Sequence, residues 1–320
     1  MTTASNTKLA IIGAGSVGSS LAYAALIRGS AREIALYDID RPKVEAEILD
    51  LAHGTQFTGS SEIHGGDDLE VVADADIVII TAGAKQKPGQ TRLDLAATNV
   101  RILEDLMPKL VEAAPDAVYV LVTNPCDVLT VVAQRISGLP SSRVLSSGTL
   151  LDTSRLRWIL AKLAGGVSPS SVHAMIVGEH GDSEFALWSQ ATIGPVPILE
   201  WERDGELPFN EAELERIAKD VREAAYHVIA GKGATNYAIG LSGARLVEAM
   251  LRDERAIVPV SSVLDGEWGI RGVALSVPTL LDRHGVRQIL EVPMSKLERR
   301  RLEASAETIA GALRELGIER

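Results

Sequence analysis

The run Val177-Gly178-Glu179-His180-Gly181-Asp182-Ser183-Glu184 sets one imidazole between two glycines, with acidic side chains on both sides. Histidine exchanges its proton near neutral pH, so an imidazole held in a fixed place is a general acid or base. The apolar stretch 174–177 leads in like a strand, and the glycines end it in a turn that presents a side chain to a cleft. Alone, a loop histidine reads as well as a surface or capping residue. Partners for it stand elsewhere in the chain. Asp152 and Arg155 lie three positions apart in a helix-like run, 149–163, and so share a face. A carboxylate can take an imidazole N–H, and a guanidinium fork can grip another carboxylate with two bonds. The plainer account of these two is a helix cap and a surface ion pair. Cys126 follows Asn124-Pro125 directly and reads as a small buried apolar residue, and a cis Asn124–Pro125 bond suits the sharp turn there.

These groups need a frame to hold them. Residues 8–12 make a buried strand candidate, followed at once by Gly13-Ala14-Gly15-Ser16-Val17-Gly18 and an apolar-periodic helix to about residue 28. A second strand, 33–37, ends in Asp38, twenty positions beyond Gly18. In that setting G-x-G-x-x-G has a mechanism. The first glycine permits a tight turn, the second lets backbone approach a pyrophosphate, and the third lets helix pack on strand. The amino end of the helix attracts the anion. Gly13, Gly15, Val17 and Gly18 are the expected cofactor contacts. Asp38 can accept from both adenine-ribose hydroxyls and would repel a 2′-phosphate, which favours NAD over NADP. A glycine-rich structural turn with a capping aspartate is the bland account.

A strand at 77–80 leads into Thr81-Ala82-Gly83, at the edge where an open α/β sheet binds its ligand, so Thr81 and Gly83 join the cofactor set. A polar loop follows to residue 91, able to close over a substrate and bring a cation, Arg92, with it. Helix is expected from about 92 to 113, then strand at 118–122 and a further helix and strand near 144. Residues 1–146 should form a Rossmann-type, doubly wound parallel α/β sheet. Residues 147–320 mix helices with strand-like runs at 256–260 and 272–277, which suggests an α+β substrate domain packed on the first.

At 320 residues, 46% hydrophobic and 23% charged, the chain is long enough for two ordinary cores. A formal net charge of −11 argues against a nucleic-acid surface and makes local arginines informative. The single cysteine excludes an internal disulfide and fits a reducing cytoplasm. Residues 9–27 are uncharged and could suggest a membrane anchor, but they divide naturally into strand, turn and helix, so no membrane association is expected. His53, His64, His227 and His284 are scattered and no grouping has metal-ligand spacing, so no metal is expected.

Together these residues resemble the L-lactate dehydrogenase/malate dehydrogenase family, with the lactate branch the nearer, over nearly the whole chain. The matching segments are 13–18, Thr81-Ala82-Gly83, Gln86-Lys87-Pro88-Gly89 with Arg92, Thr123-Asn124-Pro125, Leu151-Asp152-Thr153-Ser154-Arg155, 178–184, and Lys232-Gly233-Ala234-Thr235. The resemblance implies that His180 protonates a ketone oxygen as hydride arrives from the nicotinamide, with Asp152 accepting the other ring N–H. It implies that Arg155 grips the substrate carboxylate and that Arg92 polarises the carbonyl. Asn124 would hold nicotinamide and substrate oxygen, and Thr235 would line the far wall of the pocket. Gln86 stands where the malate branch is expected to carry an arginine. A second substrate carboxylate would meet no partner there, a penalty on the order of several kcal/mol, so pyruvate is expected over oxaloacetate. Gln90, where many relatives carry an acid, departs from the common pattern and could alter loop closure.

Arg157 and His173 match positions that hold fructose 1,6-bisphosphate across a subunit interface in bacterial lactate dehydrogenases responsive to it; an exposed arginine and an ordinary histidine are the plainer account. The expectation is thus a cytoplasmic homotetramer acting on pyruvate and lactate, with fructose 1,6-bisphosphate as effector. The alternatives are a malate or branched 2-oxoacid dehydrogenase, or a catalytically dead NAD-sensing protein. The last would need the glycine loop but not His180, Asp152, Arg92 and Arg155 together.

Overall fold

Apolar residues at every position of short β-rich runs produce strands buried on both faces, and that is how the sheet is built. The computed structural model describes residues 6–84 and 91–318, without the Arg92 side chain. Strands β1 (Lys8–Ile12), β2 (Glu33–Tyr37), β3 (Glu62–Gly66), β4 (Ile77–Ile80), β5 (Val118–Leu121) and β6 (Val144–Ser146) are all parallel, in the order β3-β2-β1-β4-β5-β6. The order reverses direction between β1 and β4, and the crevice at the carboxyl ends of these two strands is where such sheets take a ligand. Successive residues of β1 point to opposite faces. Leu9 and Ile11 enter one core with Leu21, Ile34 and Ile79, while Ala10 and Ile12 enter the other with Val78, Leu103 and Tyr119.

Helices α1 (Ser16–Arg28), α2 (Arg41–His53), α3 (Arg92–Ala113) and α4 (Cys126–Ser137) connect the parallel strands. The uncharged stretch 9–27 is therefore strand, loop and helix. Among the described residues no helix is long and apolar enough to cross a membrane. Helix α3 begins with a capping box, in which Thr91 Oγ1 accepts from Asp94 N while Asp94 accepts from Thr91 N.

Beyond β6 come α5 (Leu150–Leu163), β7 (Val172–His173), β8 (Ile176–Val177), β9 (Phe185–Ala186), β10 (Thr192–Ile193), β11 (Val196–Pro197), α6 (Glu211–Lys232), α7 (Tyr237–Leu251), β12 (Ile257–Asp265), β13 (Arg271–Asp282), β14 (Gly285–Ile289) and α8 (Lys296–Glu315). The order of mixed helices and strands agrees with an α+β second half, but its strands do not all stay there. Strand β12 pairs antiparallel with β6, and β13 and β14 follow, giving one nine-stranded sheet. Helix α7 packs against α1, and Val247 and Met250 complete the core that holds Leu9 and Ile11. Two small antiparallel sheets, β11-β10-β7 and β8-β9, complete the second half, and β8-β9 packs on β13.

Candidate active site

The glycine loop lies between β1 and α1. Gly13 has φ +107°, a conformation that L side chains rarely adopt, and a Cβ on it would come 2.7 Å from Ala82 N. A Cβ on Gly18 would come 1.8 Å from Gly13 O, so only glycine lets α1 approach the loop. A Cβ on Gly15 would meet nothing within 4 Å. Gly15 also caps α1 without a side-chain acceptor, and no acidic residue occupies the first turn. Open space beside unsatisfied amide groups at a helix amino end suits a pyrophosphate. Val17 lies half-buried in that turn. Thr81 donates its hydroxyl to the carbonyls of Ile12 and Gly13, at 3.0 and 2.9 Å, and so fixes the loop from β4.

Asp38, at the tip of β2, accepts from Ala14 N at 2.7 Å and Asp40 N at 3.0 Å, with Lys43 Nζ 3.6 Å away. Its carboxylate therefore sits over the glycine loop, where each oxygen keeps a further lone pair for a ribose hydroxyl. These residues fit an adenine dinucleotide.

The segment after β4 is fastened by a residue that no sequence pattern singled out. Asn99, buried on α3, donates to Asn124 O and accepts from Ala84 N, both at 2.7 Å. Gly83 lies against it and against Thr123, since a Cβ there would come 3.1 Å from Asn99 Oδ1 and 2.3 Å from Thr123 Cγ2. Asn124 is exposed at the end of β5, and its bond to Pro125 is cis. Gln86 and Gln90 lie outside the described residues, as does the side chain of Arg92.

Across this crevice His180 Nδ1 lies 2.7 Å from Asp152 Oδ2, and the ring keeps 28% of its surface open. The other carboxylate oxygen of Asp152 accepts from Arg155 Nη1. Arg155 is thus an ion-pair partner of Asp152, and the rest of its fork is not taken up by that bond. Burial alone would lower the pKa of His180, but the charge and hydrogen bond of Asp152 outweigh it and raise it to about 9. Burial likewise favours a protonated Asp152, yet the charge and hydrogen bond of His180, then Arg155, leave that carboxyl below its ordinary value.

The loop that carries His180 is anchored at several points. His180 N donates to Asp127 Oδ2 at 2.6 Å, from the start of α4. Burial raises Asp127 to about 6 although Ser261 and the His180 N–H favour its charged form. Gly178 (φ +96°) exchanges backbone bonds of 2.8 and 2.9 Å with Ser276 of β13, while Glu179 N donates to Ser305 Oγ of α8 at 2.9 Å. Glu184 is buried beside the pair: a ring nitrogen of His180 and one carboxylate oxygen each of Asp152 and Glu184 all lie within 4.8 Å of one another. Such a trio could hold a cation, but both Asp152 oxygens are engaged and the guanidinium of Arg155 would repel one. Thr235 is half-buried between α6 and α7, in a loop tied to α1 by Asn236 Nδ2 donating to Ser20 Oγ at 2.8 Å.

The sequence profile of the lactate/malate dehydrogenase NAD binding domain matches residues 7–146, and that of the alpha/beta C-terminal domain matches 149–316. The chain belongs to the lactate/malate dehydrogenase family. It is 52% identical to an L-lactate dehydrogenase of Bifidobacterium animalis subsp. lactis, over 98% of each chain. An L-lactate dehydrogenase of Synechococcus is 46% identical over 93% of this chain and 96% of its own. Among solved structures, the minor L-lactate dehydrogenase of Enterococcus mundtii, in a ligand-bound form, superposes with a TM-score of 0.93 at 41% identity, covering 98% of this chain and 99% of that one. A lactate dehydrogenase from a Medee basin deep-sea metagenome library gives the same TM-score at 37% identity and the same coverage. As a member of this family the chain is an NAD-dependent dehydrogenase, with its Rossmann sheet holding NAD.

Proposed function

We propose that the protein is an L-lactate dehydrogenase that interconverts pyruvate and L-lactate. The observation that carries the chemistry is the contact of His180 with Asp152 beside Arg155, at the ligand-binding edge of the sheet. Residues 1–146 hold NAD in this reading, through Gly13, Gly15, Val17, Gly18, Asp38, Thr81, Gly83 and Asn124, and residues 147–320 carry most of the substrate site. When bound, NADH supplies the hydride that adds to the keto carbon. His180 gives its outer ring proton to the ketone oxygen and becomes neutral, while its other N–H stays on Asp152. Arg155 orients the substrate carboxylate, Arg92 stabilises charge on the ketone oxygen, and Asn124 and Thr235 bound the pocket. In the oxidation direction His180 takes the proton back.

Three things support pyruvate and L-lactate over the alternatives. The full-length relatives carry the name L-lactate dehydrogenase. Gln86 is neutral where a second carboxylate would need a cation. His180, Asp152 and Arg155 stand together, which a non-catalytic NAD sensor does not need. The decisive experiment is steady-state kinetics with NADH on a panel of 2-oxo acids. The expected outcome is kcat/KM for pyruvate at least about 100-fold above that for oxaloacetate; equal or better efficiency with oxaloacetate overturns the substrate.

A cytoplasmic homotetramer activated by fructose 1,6-bisphosphate is the finer form of the proposal. Its effector part draws on Arg157, whose Nε donates at 2.9 Å to the carbonyl of Ala174, the residue that follows exposed His173 in the chain. A phosphate that met both the guanidinium and the imidazole would be held by two cations. The same panel run with and without the sugar bisphosphate at low pyruvate, and again after Arg157→Gln, reads this. Activation is expected in the wild type and not in the variant; a wild type that ignores the effector removes it.

A further inference from the structure

Resting on that reading of the site, we propose that Glu184 is a positioning residue for proton transfer: a second carboxyl behind the imidazole that sets the pH at which His180 gives up its proton. The geometry is unusual for a glutamate. Its residue surface is 4% exposed, and its Oε1 has no hydrogen-bond partner among the described residues. A carboxylate buried with an unmatched oxygen is costly, and the protonated acid costs much less. One of its carboxyl oxygens nevertheless lies within 4.8 Å of a ring nitrogen of His180 and a carboxylate oxygen of Asp152.

The groups that face it come from each element around it. Asp152 and Arg155 lie on α5, Arg222 lies on α6 and donates to the Glu184 carbonyl at 3.4 Å, and His180 lies on the same loop. Asp127 of α4 bonds the His180 backbone. Burial, then the charge of Asp152, push the Glu184 carboxyl well above the usual carboxylate range, while His180, Arg155 and Arg222 oppose them. In the working state Asp152 is charged, His180 carries its proton, and Glu184 carries one of its own. As pH rises Glu184 ionises and opposes deprotonation of His180, so the imidazolium persists to higher pH than Asp152 alone would hold it. Glu184 touches neither substrate nor the transferred proton in this account. It acts through His180.

The test is the pH dependence of kcat/KM for pyruvate reduction and lactate oxidation in the wild type and in Glu184→Gln. Glutamine keeps the shape and cannot ionise. Both the alkaline fall of reduction and the acid fall of oxidation should move to lower pH by roughly half to one unit, a three- to tenfold change in rate on the limb. Superposing profiles, or a loss equal at every pH, assign Glu184 a merely structural role and overturn the proposal. If glutamine is not tolerated, Glu184→Met, apolar and of similar length, reads the same shift. Infrared difference spectra of the wild type give an independent signature. A protonated carboxylic acid band should remain at neutral pH, after Asp127 has ionised, and vanish at alkaline pH; a wild type without such a band also overturns the proposal. An enzyme that shows the band but does not reduce pyruvate would refute the assigned substrate and leave Glu184 in place.

Discussion

Asp152 holds two cations with one carboxylate. One oxygen meets the His180 ring and the other meets Arg155, so removing its charge should affect catalysis and binding together. Without Asp152, burial is the leading influence on the imidazole and lowers its pKa. Asp152→Asn should therefore reduce kcat/KM for pyruvate reduction at neutral pH by about 100- to 10,000-fold and move the residual optimum toward acid. A profile with the wild-type alkaline limb in this variant would show that another group supplies the proton. The same shifts govern stability. His180 is raised from 6.5 to about 9, so its contribution is complete below about pH 6.5 and is lost as pH rises through about 9. Asp152 is lowered from 3.8, so its contribution is present above that value and is lost as pH falls below it. His180, Asp152 and Arg155 were legible in the sequence because their types and spacing name a chemistry. Asp127 and Asn99 were not, and Glu184 stood in the histidine run without a role. Asp127 meets His180 from 53 positions away and Asn99 meets Asn124 from 25, and nothing local to an asparagine inside a helix or an acid after Asn-Pro-Cys reveals a partner that far off.

The glycine loop shows the difference between an element that folds and one that binds. Gly15 has φ −76° and open space around its missing Cβ, so alanine there is compatible with the fold. Gly18 is not, because its Cβ would strike Gly13 O. Gly15→Ala should keep the thermal midpoint within about 2 °C while weakening NADH binding at least about tenfold, since the methyl occupies the side from which a pyrophosphate approaches. Gly18→Ala should lower both, with a stability loss of about 1–3 kcal/mol from displacing α1. Thermal melts and fluorescence titration with NADH separate the two, and a Gly15→Ala protein that binds normally would place the pyrophosphate elsewhere. Strands β1, β2, β4 and β5 were readable to within about a residue, since β4 and β5 are unbroken apolar runs and β1 is one after Lys8. Strands β12 and β13 were read too short. Ser261 and Ser262 interrupt the apolar pattern of β12, and Ser276 and Thr279 that of β13, yet all four are buried. Ser276 Oγ accepts from Thr149 N at 3.0 Å, so its polarity serves the joint between β13 and α5 and does not mark a loop.

At the scale of the molecule, the part that binds NAD and the part that carries His180 are not separable bodies. Strand β12 adds to β6 through the pairs Ser261 with Ser146 and Ser262 with Leu145, so the parallel sheet has no free edge on that side. Helix α7 supplies Ala244, Leu246, Val247 and Met250 to the core that holds β1 and β2. Gly240 and Gly243 make this contact possible, because a Cβ on either would come 2.8 Å from the Ser20 backbone or 2.5 Å from Leu21 Cδ1. Arg28 on α1 completes the joint with two 2.7 Å bonds to the buried carboxylate of Glu248 on α7. Residues 1–146 expressed alone would expose the β6 edge and the apolar face of α1, and should aggregate or remain partly folded. The intact chain should unfold in urea as a single transition. NADH fluorescence, which reports on the sheet crevice, and far-ultraviolet circular dichroism, which reports on all helices, should give coincident midpoints. A stable, NADH-binding fragment 1–146, or a dichroism transition that begins well before NADH is released, would mean that the shared sheet and the α1–α7 contact do not couple the two halves energetically.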